Sequence, residues 1–340
     1  EFKRTRRRGL ILVGGFVLLA AALYSGWWWW LASTTRLQID GWVARQNTMG
    51  RSVAYGGLVI NGFPGRMQIK LAEIHAKDPE GGWTFDIPSL QAELIPWAPD
   101  SINGHVVDPV SMQLDKGVLP GRYTLQAKSN ALHLNAIDGG QMTLELDALH
   151  IADEGHGDAL DVASLTATLK RGTAPVLGTV DLAIRDLDYP ARWRNAFGQH
   201  LERLLTRLQL NGNELPAGPD AAAIRAWSND GGAIDVQSLD LVHGVLGLNG
   251  EGTLALDNDL QPIGAFTARI AGFQAAIDQL VAAGMVRPDD GKLAKVVLGV
   301  MAKVPKGGGP LQISLPLTLQ DRKLSVGPLP LVRLPMINWE

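Results

Sequence analysis

Apolar and polar residues alternate with a period of two along most of the chain from residue 36 onward. This alternation is typical of strands that place one face on a core and the other in water. The clearest runs place these residues on one strand face: Met67, Ile69 and Leu71; Met142, Leu144 and Leu146; Leu311, Ile313, Leu315, Leu317 and Leu319. Similar runs occupy residues 123–128, 165–169, 180–185, 234–241 and 246–257. The pattern predicts a body built mainly of β-strands.

Two irregularities interrupt the alternation. At Ala72 and Glu73 it shifts by one residue, so that Ile74 falls on the other parity, which predicts a bulge or a strand end. Pro316 lies inside the last clear run and has no N–H to donate, which predicts an edge position or a bend.

The connections between the predicted strands are short and rich in glycine and aspartate, as at residues 138–140, 230–232 and 257–258. These residue types supply positive φ angles without strain, and consecutive strands joined by short turns form an antiparallel meander. A single sheet must cover its apolar side with helices, lipid or a partner. We therefore predict a mainly β fold: an elongated, antiparallel sheet, curved like a groove, with a few covering helices.

Helical spacing of apolar residues occurs in a few segments. We predict helices at residues 37–48, at 221–228 with Asp220 as the N-cap, at 273–283, and at 290–303 with Asp289 as the N-cap. The helices between residues 273 and 303 could cover the sheet, and the last of them has this apolar stripe: Leu293, Val296, Val297 and Val300. Residues 190–210 fit both periods, and we favour a short helix followed by a strand.

The N-terminal segment is predicted to cross a membrane. Residues 9–32 carry no charge, and as a helix they span a hydrocarbon core of about 30 Å. Basic residues precede them, among them Arg6, Arg7 and Arg8, which predicts a cytoplasmic N-terminus for residues 1–8 and a body on the outer side of the membrane for residues 33–340. Four tryptophans fit an interfacial belt: Trp27, Trp28, Trp29 and Trp30. A cleaved signal peptide is the competing interpretation.

Composition removes several classes of function. The chain has 340 residues, 46% of them apolar, and no cysteine, which excludes disulfides, a cysteine-ligated zinc site and a cysteine nucleophile. The net charge is −3, and because the N-terminus is basic the body is acidic, which argues against a nucleic-acid partner. The body is large for one domain, and the Gly-, Pro- and Asn-rich residues 211–220 mark a possible boundary between subdomains.

Three blocks carry a family resemblance. The first is Gly62, Phe63, Pro64 and Arg66 ahead of an alternating strand; the others lie at residues 252–273 and 315–331. They resemble an alphaproteobacterial envelope family known only as a domain of unknown function, with Gly65 where a second aromatic residue is expected. At the level of pattern the chain is similar to AsmA-like envelope proteins. That resemblance implies an N-terminal anchor and a curved sheet with an aliphatic groove, of a kind implicated in lipid transport.

Chemistry-bearing residues are densest at residues 147–161. Carboxylates and imidazoles there could bind a divalent metal, the candidate ligands being His150, Asp153, His156 and Asp158, but the spacing matches no metal motif and favours a solvated turn. The sequence contains no Gly-x-Ser-x-Gly elbow and no Walker phosphate loop. We predict no cofactor and no enzymatic activity.

Two functions fit these observations. In the first, an anchored periplasmic protein binds a membrane lipid or another apolar ligand in its sheet groove and aids envelope lipid handling. The residues predicted to line that groove are Met67, Ile69, Leu71, Met142, Leu144, Leu146, Leu311, Ile313, Leu315 and Leu317. In the second, a closed sheet docks another envelope protein through its edges or its outer surface.

Overall fold

The structure is a computed structural model. It describes residues 2–107, 109–115, 120–135, 140–193, 196–216, 221–305, 308–326, 329–337 and 339, with side chains omitted at 2–13 and 329–332. The predicted cap Asp220, part of the 138–140 turn and part of the 211–220 boundary lie outside these residues.

Four helices and sixteen strands are present in the described residues. The helices are α1 (Phe2–Thr48), α2 (Ala221–Asn229), α3 (Phe273–Ala282) and α4 (Pro288–Met301). The strands are β1 (Ser52–Asn61), β2 (Met67–Asp78), β3 (Trp83–Ile95), β4 (Ala98–Val107), β5 (Val110–Leu114), β6 (Gly121–Asn135), β7 (Gln141–Asp153), β8 (Asp158–Thr173), β9 (Val176–Asp188), β10 (His200–Asn211), β11 (Ala233–His243), β12 (Leu246–Leu256), β13 (Pro262–Ala271), β14 (Gln312–Gln320), β15 (Lys323–Val326) and β16 (Leu329–Arg333).

All the described strands form one antiparallel sheet. Each strand pairs with its neighbour in sequence, except that β4 and β5 share the space between β3 and β6. This strand order confirms the predicted meander. β10 pairs directly with β11, so the sheet is continuous although residues 212–232 separate the two strands in sequence. We call the two ends of the sheet the Phe63 end, which carries the β1–β2 and β3–β4 turns, and the Asp153 end, which carries the β2–β3 and β7–β8 turns.

The helix α1 is continuous through the predicted span and the predicted helix at 37–48. Within the described side chains, it is the one helix long and apolar enough to cross a membrane, over residues Gly14–Thr48. Its second half packs on the sheet, since Trp28 and Ala32 form a buried cluster with Met67, Ile69 and Leu94. The apolar helix and the body therefore share one core.

The predicted shift of parity in β2 is confirmed, but a bulge or strand end is the wrong cause. Glu73 has a φ of 52° and lies in the left-handed region. The pairing register is the same on both sides of it, with Tyr55 opposite Ile74 and Gly57 opposite Ala72. Because no residue is inserted, the strand continues while its alternation reverses.

Two other strands contain a residue in the left-handed region. Ala148 in β7 has a φ of 48° and Asp186 in β9 a φ of 49°. The register places Ala148 and Asp186 on one transverse row of the sheet, and we call this row the crease. In β7 the crease explains why Met142, Leu144 and Leu146 share a face with Leu149 and Ile151 rather than with even-numbered neighbours. One face of the sheet thus stays apolar along the whole strand.

The other local predictions have mixed outcomes. Residues 191–193 form a short 3-10 helix before β10, as predicted for the ambiguous segment. Pro316 lies where β14 pairs with β13 alone, since β15 pairs only with Thr318–Gln320, so the predicted edge position is confirmed. Asp289 is not a cap, because α4 begins at Pro288 with Arg287 as its N-cap.

The helix α4 packs over the sheet, but not through its apolar stripe. Its stripe faces outward, with Leu293, Val296 and Val300 exposed at 65%, 65% and 84% and Val297 at 49%. The face that packs on α3 and β14 uses smaller and fewer residues, namely Gly291, Ala294 and Leu298. At Gly291 a Cβ atom would collide with Val281. The two helices approach closely where α4 has a glycine. The face with Gly291 therefore packs on α3, and the face with the valines stays exposed.

Candidate functional site

A continuous apolar face crosses the sheet. Residues directly opposite each other in antiparallel strands lie on the same face. The register links one such line from β1 to β14: Ile60, Ile69, Ala92, Gly104, Leu132, Leu144, Ala167, Leu182, Thr206, Leu239, Gly250, Ala268 and Leu315. Thr206 is its single polar member. We call this side of the sheet the apolar face.

Three parallel lines of side chains make up the apolar face on the middle strands, β6 to β11. The central line is Leu132, Leu144, Ala167, Leu182, Thr206 and Leu239; the line toward the Phe63 end is Leu134, Met142, Leu169, Val180, Leu208 and Val236; the third is Asn130, Leu146, Leu165, Ile184, Leu204 and Leu241. Every member is half-buried or exposed, and Met142 and Leu169 reach 40% and 43%. We call these three lines the open patch.

The apolar face is covered on both sides of the open patch. On β1 to β4 the cover is α1, through Trp28 and Ala32. On β13 and β14 it is α3 and α4, with Phe273 and Ile277 packed on Ile313. In the described residues, α2 makes a third contact at the Phe63 end of β9 to β11, where Trp227 is buried beside Gly212 and donates a hydrogen bond to the Asn211 carbonyl. Between these contacts the middle strands present a hydrocarbon surface without a second layer.

The same face is closed toward the Asp153 end of the middle strands. There Tyr123, Leu149 and Val162 are buried at 6%, 4% and 5% exposure. The β9–β10 connection reaches across to this end, where Arg192 binds Asp153 and Asp158. The open patch is therefore closed at the Asp153 end. Toward the Phe63 end α2 packs on β9 to β11 through Trp227, so the patch continues in that direction on β7 and β8, where Met142 and Leu169 are exposed.

The opposite face of the sheet is polar. Along the middle strands it carries ion pairs such as Arg207 with Asp181 and Arg203 with Asp240. Shallow concavities lie on it, the larger of two being about 610 Å³ between the ends of β12, β13 and β14, lined in part by Asp257 and Asp321. In the described residues no group of three or more His, Asp or Glu side chains is arranged to hold a metal.

The four candidate metal ligands are divided between two clusters. His150 pairs through Nδ1 with Asp161, 2.6 Å away. The other three gather around the guanidinium of Arg192, which lies 2.6 Å from Asp153 Oδ2 and 2.9 Å from Asp158 Oδ2, while His156 Nδ1 lies 2.9 Å from Asp153 Oδ2. Arg192 therefore supplies the positive charge that a metal ion would bring to these carboxylates. It lies outside the segment that holds the acidic residues, so that segment alone does not indicate the pairing.

The Arg192 guanidinium, which bonds to the Asp153 carboxylate, lowers the pKa of that carboxyl from 3.8 to about 2; burial opposes the shift, while His156 and the backbone N–H groups of Gly155 and His156 add to it. A carboxyl whose pKa is lower in the folded chain stabilises the fold above pH 3.8 and loses that effect as the pH falls toward 2.

We expect Asp153→Asn to lower the thermal unfolding midpoint at pH 7, because it leaves Arg192 without its closest carboxylate. The difference from wild type should stay constant down to about pH 5 and shrink between pH 4 and 2. Circular dichroism melts at stepped pH measure this. Asp161→Asn, which removes the exposed partner of His150, is the matched control and should have a small effect throughout. A difference that grows on acidification would contradict the assignment.

The Gly62, Phe63, Pro64 and Arg66 motif forms the β1–β2 turn. Gly62 has a φ of 102°, and a Cβ there would collide with the carbonyl oxygen of Arg66, so this turn requires glycine. Phe63 packs edge-on against Trp28 with ring centroids 5.5 Å apart, and Tyr24 donates a hydrogen bond to the Pro64 carbonyl. Arg66 lies 3.6 Å from Glu93. Through these contacts the β1–β2 turn packs against α1.

The remaining predicted site residues are placed as follows. Met67, Ile69 and Leu71 lie under α1, whereas Ile313, Leu315 and Leu317 lie on the apolar face of β14. Leu311 precedes β14 and is 44% exposed. Of the four tryptophans Trp28 is buried, Trp27 is half-buried, and Trp29 and Trp30 are 66% and 60% exposed. The side chains of Arg6, Arg7 and Arg8 lie outside the described residues.

The sequence analysis placed three strand segments on the apolar face, in β2, β7 and β14. It missed that Met142, Leu144 and Leu146 lie in the open patch while Met67 and Ile69 lie beneath a helix. It also missed Leu132, Leu134 and Leu204. The alternation signalled their strands, although it carries no information on which part of a face another element covers.

The fold defines a class: a single open antiparallel sheet with one apolar face, preceded by a long apolar helix that packs on it. The chain belongs to the family described as uncharacterized protein conserved in bacteria (DUF2125), whose model matches residues 28–335. That match begins at Trp28, the helix residue buried in the body. No curated protein and no solved structure matches the chain.

Proposed function

We propose that the protein is held in the inner membrane by α1, with its N-terminus in the cytoplasm and its body in the periplasm, and binds the acyl chains of a lipid on the open patch. Its role is to aid lipid handling in the envelope, without a catalytic step. One observation carries the proposal: three lines of side chains, all aliphatic except Asn130 and Thr206, cross six adjacent strands, and no described helix covers them.

The energetics favour a hydrocarbon ligand. Monomeric soluble proteins rarely expose contiguous apolar patches larger than a few hundred Å², and larger ones mark binding sites. Each methylene that leaves water for such a surface contributes about 0.8 kcal/mol. The patch presents two polar side chains within its three lines, Asn130 and Thr206. Both already bond to the protein backbone, Asn130 to Val106 and Thr206 to Ser238, so an acyl chain meets almost no group that requires a hydrogen bond. A polar substrate would find little to recognise here.

The packing of α1 supports a retained anchor over a cleaved signal peptide. Cleavage after residue 32 would remove Trp28 and Ala32 from the cluster with Met67, Ile69 and Leu94. Met67 is fully buried and would become exposed to water. The long apolar helix is consistent with either a signal anchor or a signal sequence; the shared core favours the anchor. The basic residues before it favour a cytoplasmic N-terminus.

Photo-crosslinking tests the proposal on the full chain. The protein is reconstituted in vesicles containing a phosphatidylcholine with a diazirine at the end of one acyl chain, irradiated, digested and sequenced by mass spectrometry. We expect lipid adducts on β7 to β10, at or next to Leu144, Leu182 and Leu204, in addition to adducts on α1. Adducts confined to α1 would contradict the proposal, since the anchor contacts lipid whatever the body does.

A second candidate function is favoured by α4. Its outward stripe, with Val300 84% exposed, has no partner among the described residues, and such a face suits another protein. Here the chain is an envelope scaffold that docks a partner protein through α4 or through the edge strands β1 and β16. Val300→Glu should then abolish co-purification of a partner while leaving the lipid adducts on β7 to β10 unchanged.

A further inference from the structure

The turns at the Phe63 end of the sheet carry exposed aromatic residues. Phe63, in the β1–β2 turn, is 47% exposed although one edge of its ring packs on Trp28. Trp97, in the β3–β4 turn, is 69% exposed, whereas its neighbour Pro96 is fully buried. Met67 opposite Leu94 places the two turns side by side.

Helix length places these turns at the level of a membrane surface. The uncharged stretch begins at Gly9, and about 20 helical residues cross a hydrocarbon core of about 30 Å, so the core ends near Trp28. Trp28 and Tyr24 are the residues that contact Phe63. The turn is therefore fixed at the depth where α1 leaves the hydrocarbon.

The side chains at the Phe63 end are of the types found at a bilayer interface. Aromatic rings with one apolar and one polar side concentrate at the bilayer interface, and Trp29 and Trp30 are exposed there on α1. Arg66 and Lys170 lie at the same end of the sheet, but Arg66 is paired with Glu93, and Asp100 and Asp257 lie at this end too. The match to the bilayer interface therefore rests on the aromatic side chains rather than on net charge.

We infer that the Phe63 end of the sheet is a membrane-contacting surface, with Phe63 and Trp97 inserted among the lipid headgroups, and that it is the entrance through which acyl chains reach the open patch. The claim that this end is the entrance for acyl chains rests on the proposed function. The line of the patch nearest this end contains its most exposed members, Met142 and Leu169. An acyl chain entering here leaves the bilayer without first crossing the polar face.

The absence of cysteine in the natural sequence makes a direct test possible. Single variants Trp97→Cys and Ala98→Cys place a bimane fluorophore at the Phe63 end, and Ala98→Cys keeps Trp97 in place. Ser52→Cys, at the opposite end of β1, is the matched control. The full chain is reconstituted in phosphatidylcholine vesicles with or without a lipid carrying a nitroxide near its headgroup. We expect loss of fluorescence at 97 and 98 and none at 52.

The Leu182→Glu background separates a bilayer contact from lipid already bound on the patch. Quenching at 97 and 98 that persists in this background supports the inference, even if photo-crosslinking finds no lipid on the patch. Quenching that disappears in it comes from patch-bound lipid, which overturns the membrane-contacting surface but supports lipid binding. Equal fluorescence at 52, 97 and 98 with the nitroxide lipid overturns the inference, whatever the crosslinks show.

Discussion

Leu182→Glu is expected to abolish the lipid adducts on β7 to β10 without unfolding the protein. Leu182 lies in the central line of the open patch on β9, between Ala167 and Thr206. A carboxylate there forces an acyl chain either to desolvate a charge, which costs several kcal/mol, or to leave the patch. Because Leu182 is partly exposed in the free protein, the new charge keeps contact with water and the unfolding free energy should change by less than about 2 kcal/mol.

The neighbouring residue supplies the control. Ala183→Glu introduces the same charge on the same strand but on the polar face, where Ala183 lies between Thr166 and Leu205. It should leave the adducts unchanged. If Leu182→Glu instead costs about 3 kcal/mol or more in denaturant unfolding, the patch is part of a packed core and the lipid proposal fails. Retained adducts in a folded Leu182→Glu variant would contradict it equally.

Trp28→Ala should destabilise the body by about 3 to 5 kcal/mol, the range for deleting a buried aromatic side chain. Trp28 is 2% exposed and packs against Phe63 and the cluster of Met67, Ile69 and Leu94. The loss leaves a cavity between α1 and β2, which the rigid turn at Gly62 cannot fill. Denaturant unfolding of the full chain in detergent, followed by far-ultraviolet circular dichroism of the sheet, measures it.

Trp30→Ala is the control for this prediction. Trp30 lies two residues further along the same helix and is 60% exposed, so its removal should cost less than about 1 kcal/mol. Equal effects of the two substitutions would show that α1 and the body do not share a core. A small effect of Trp28→Ala alone would contradict the argument for a retained anchor.

The strands could be predicted from the sequence because alternation is a local signal. The period-two runs at Met67, Met142 and Ile313 reflect a sheet with one apolar side, and the parity shift at Glu73 was visible without a structure. Its cause was not visible, because a left-handed residue and an inserted residue produce the same shift. Only the unchanged register on both sides of Glu73 distinguishes them.

Contacts between distant segments could not be predicted. The stripe of α4 has the spacing of a core face, yet the close approach at Gly291 gives the packed side to small residues. The acidic residues at 153–158 resemble a metal site until Arg192, far along the chain, is placed among them. In both instances a side chain's environment depends on a partner that periodicity does not identify.

The spacing of the open patch sets its capacity. Neighbouring strands lie about 4.8 Å apart, so the path from β6 to β11 is about 24 Å wide, and alternate residues along a strand separate the lines by about 7 Å. Three ridges of side chains enclose two furrows that run across the strands, each longer than the roughly 15 Å half-thickness of a hydrocarbon core. Two furrows accommodate the two tails of one phospholipid. We therefore expect a stoichiometry near one diacyl lipid for each protein chain.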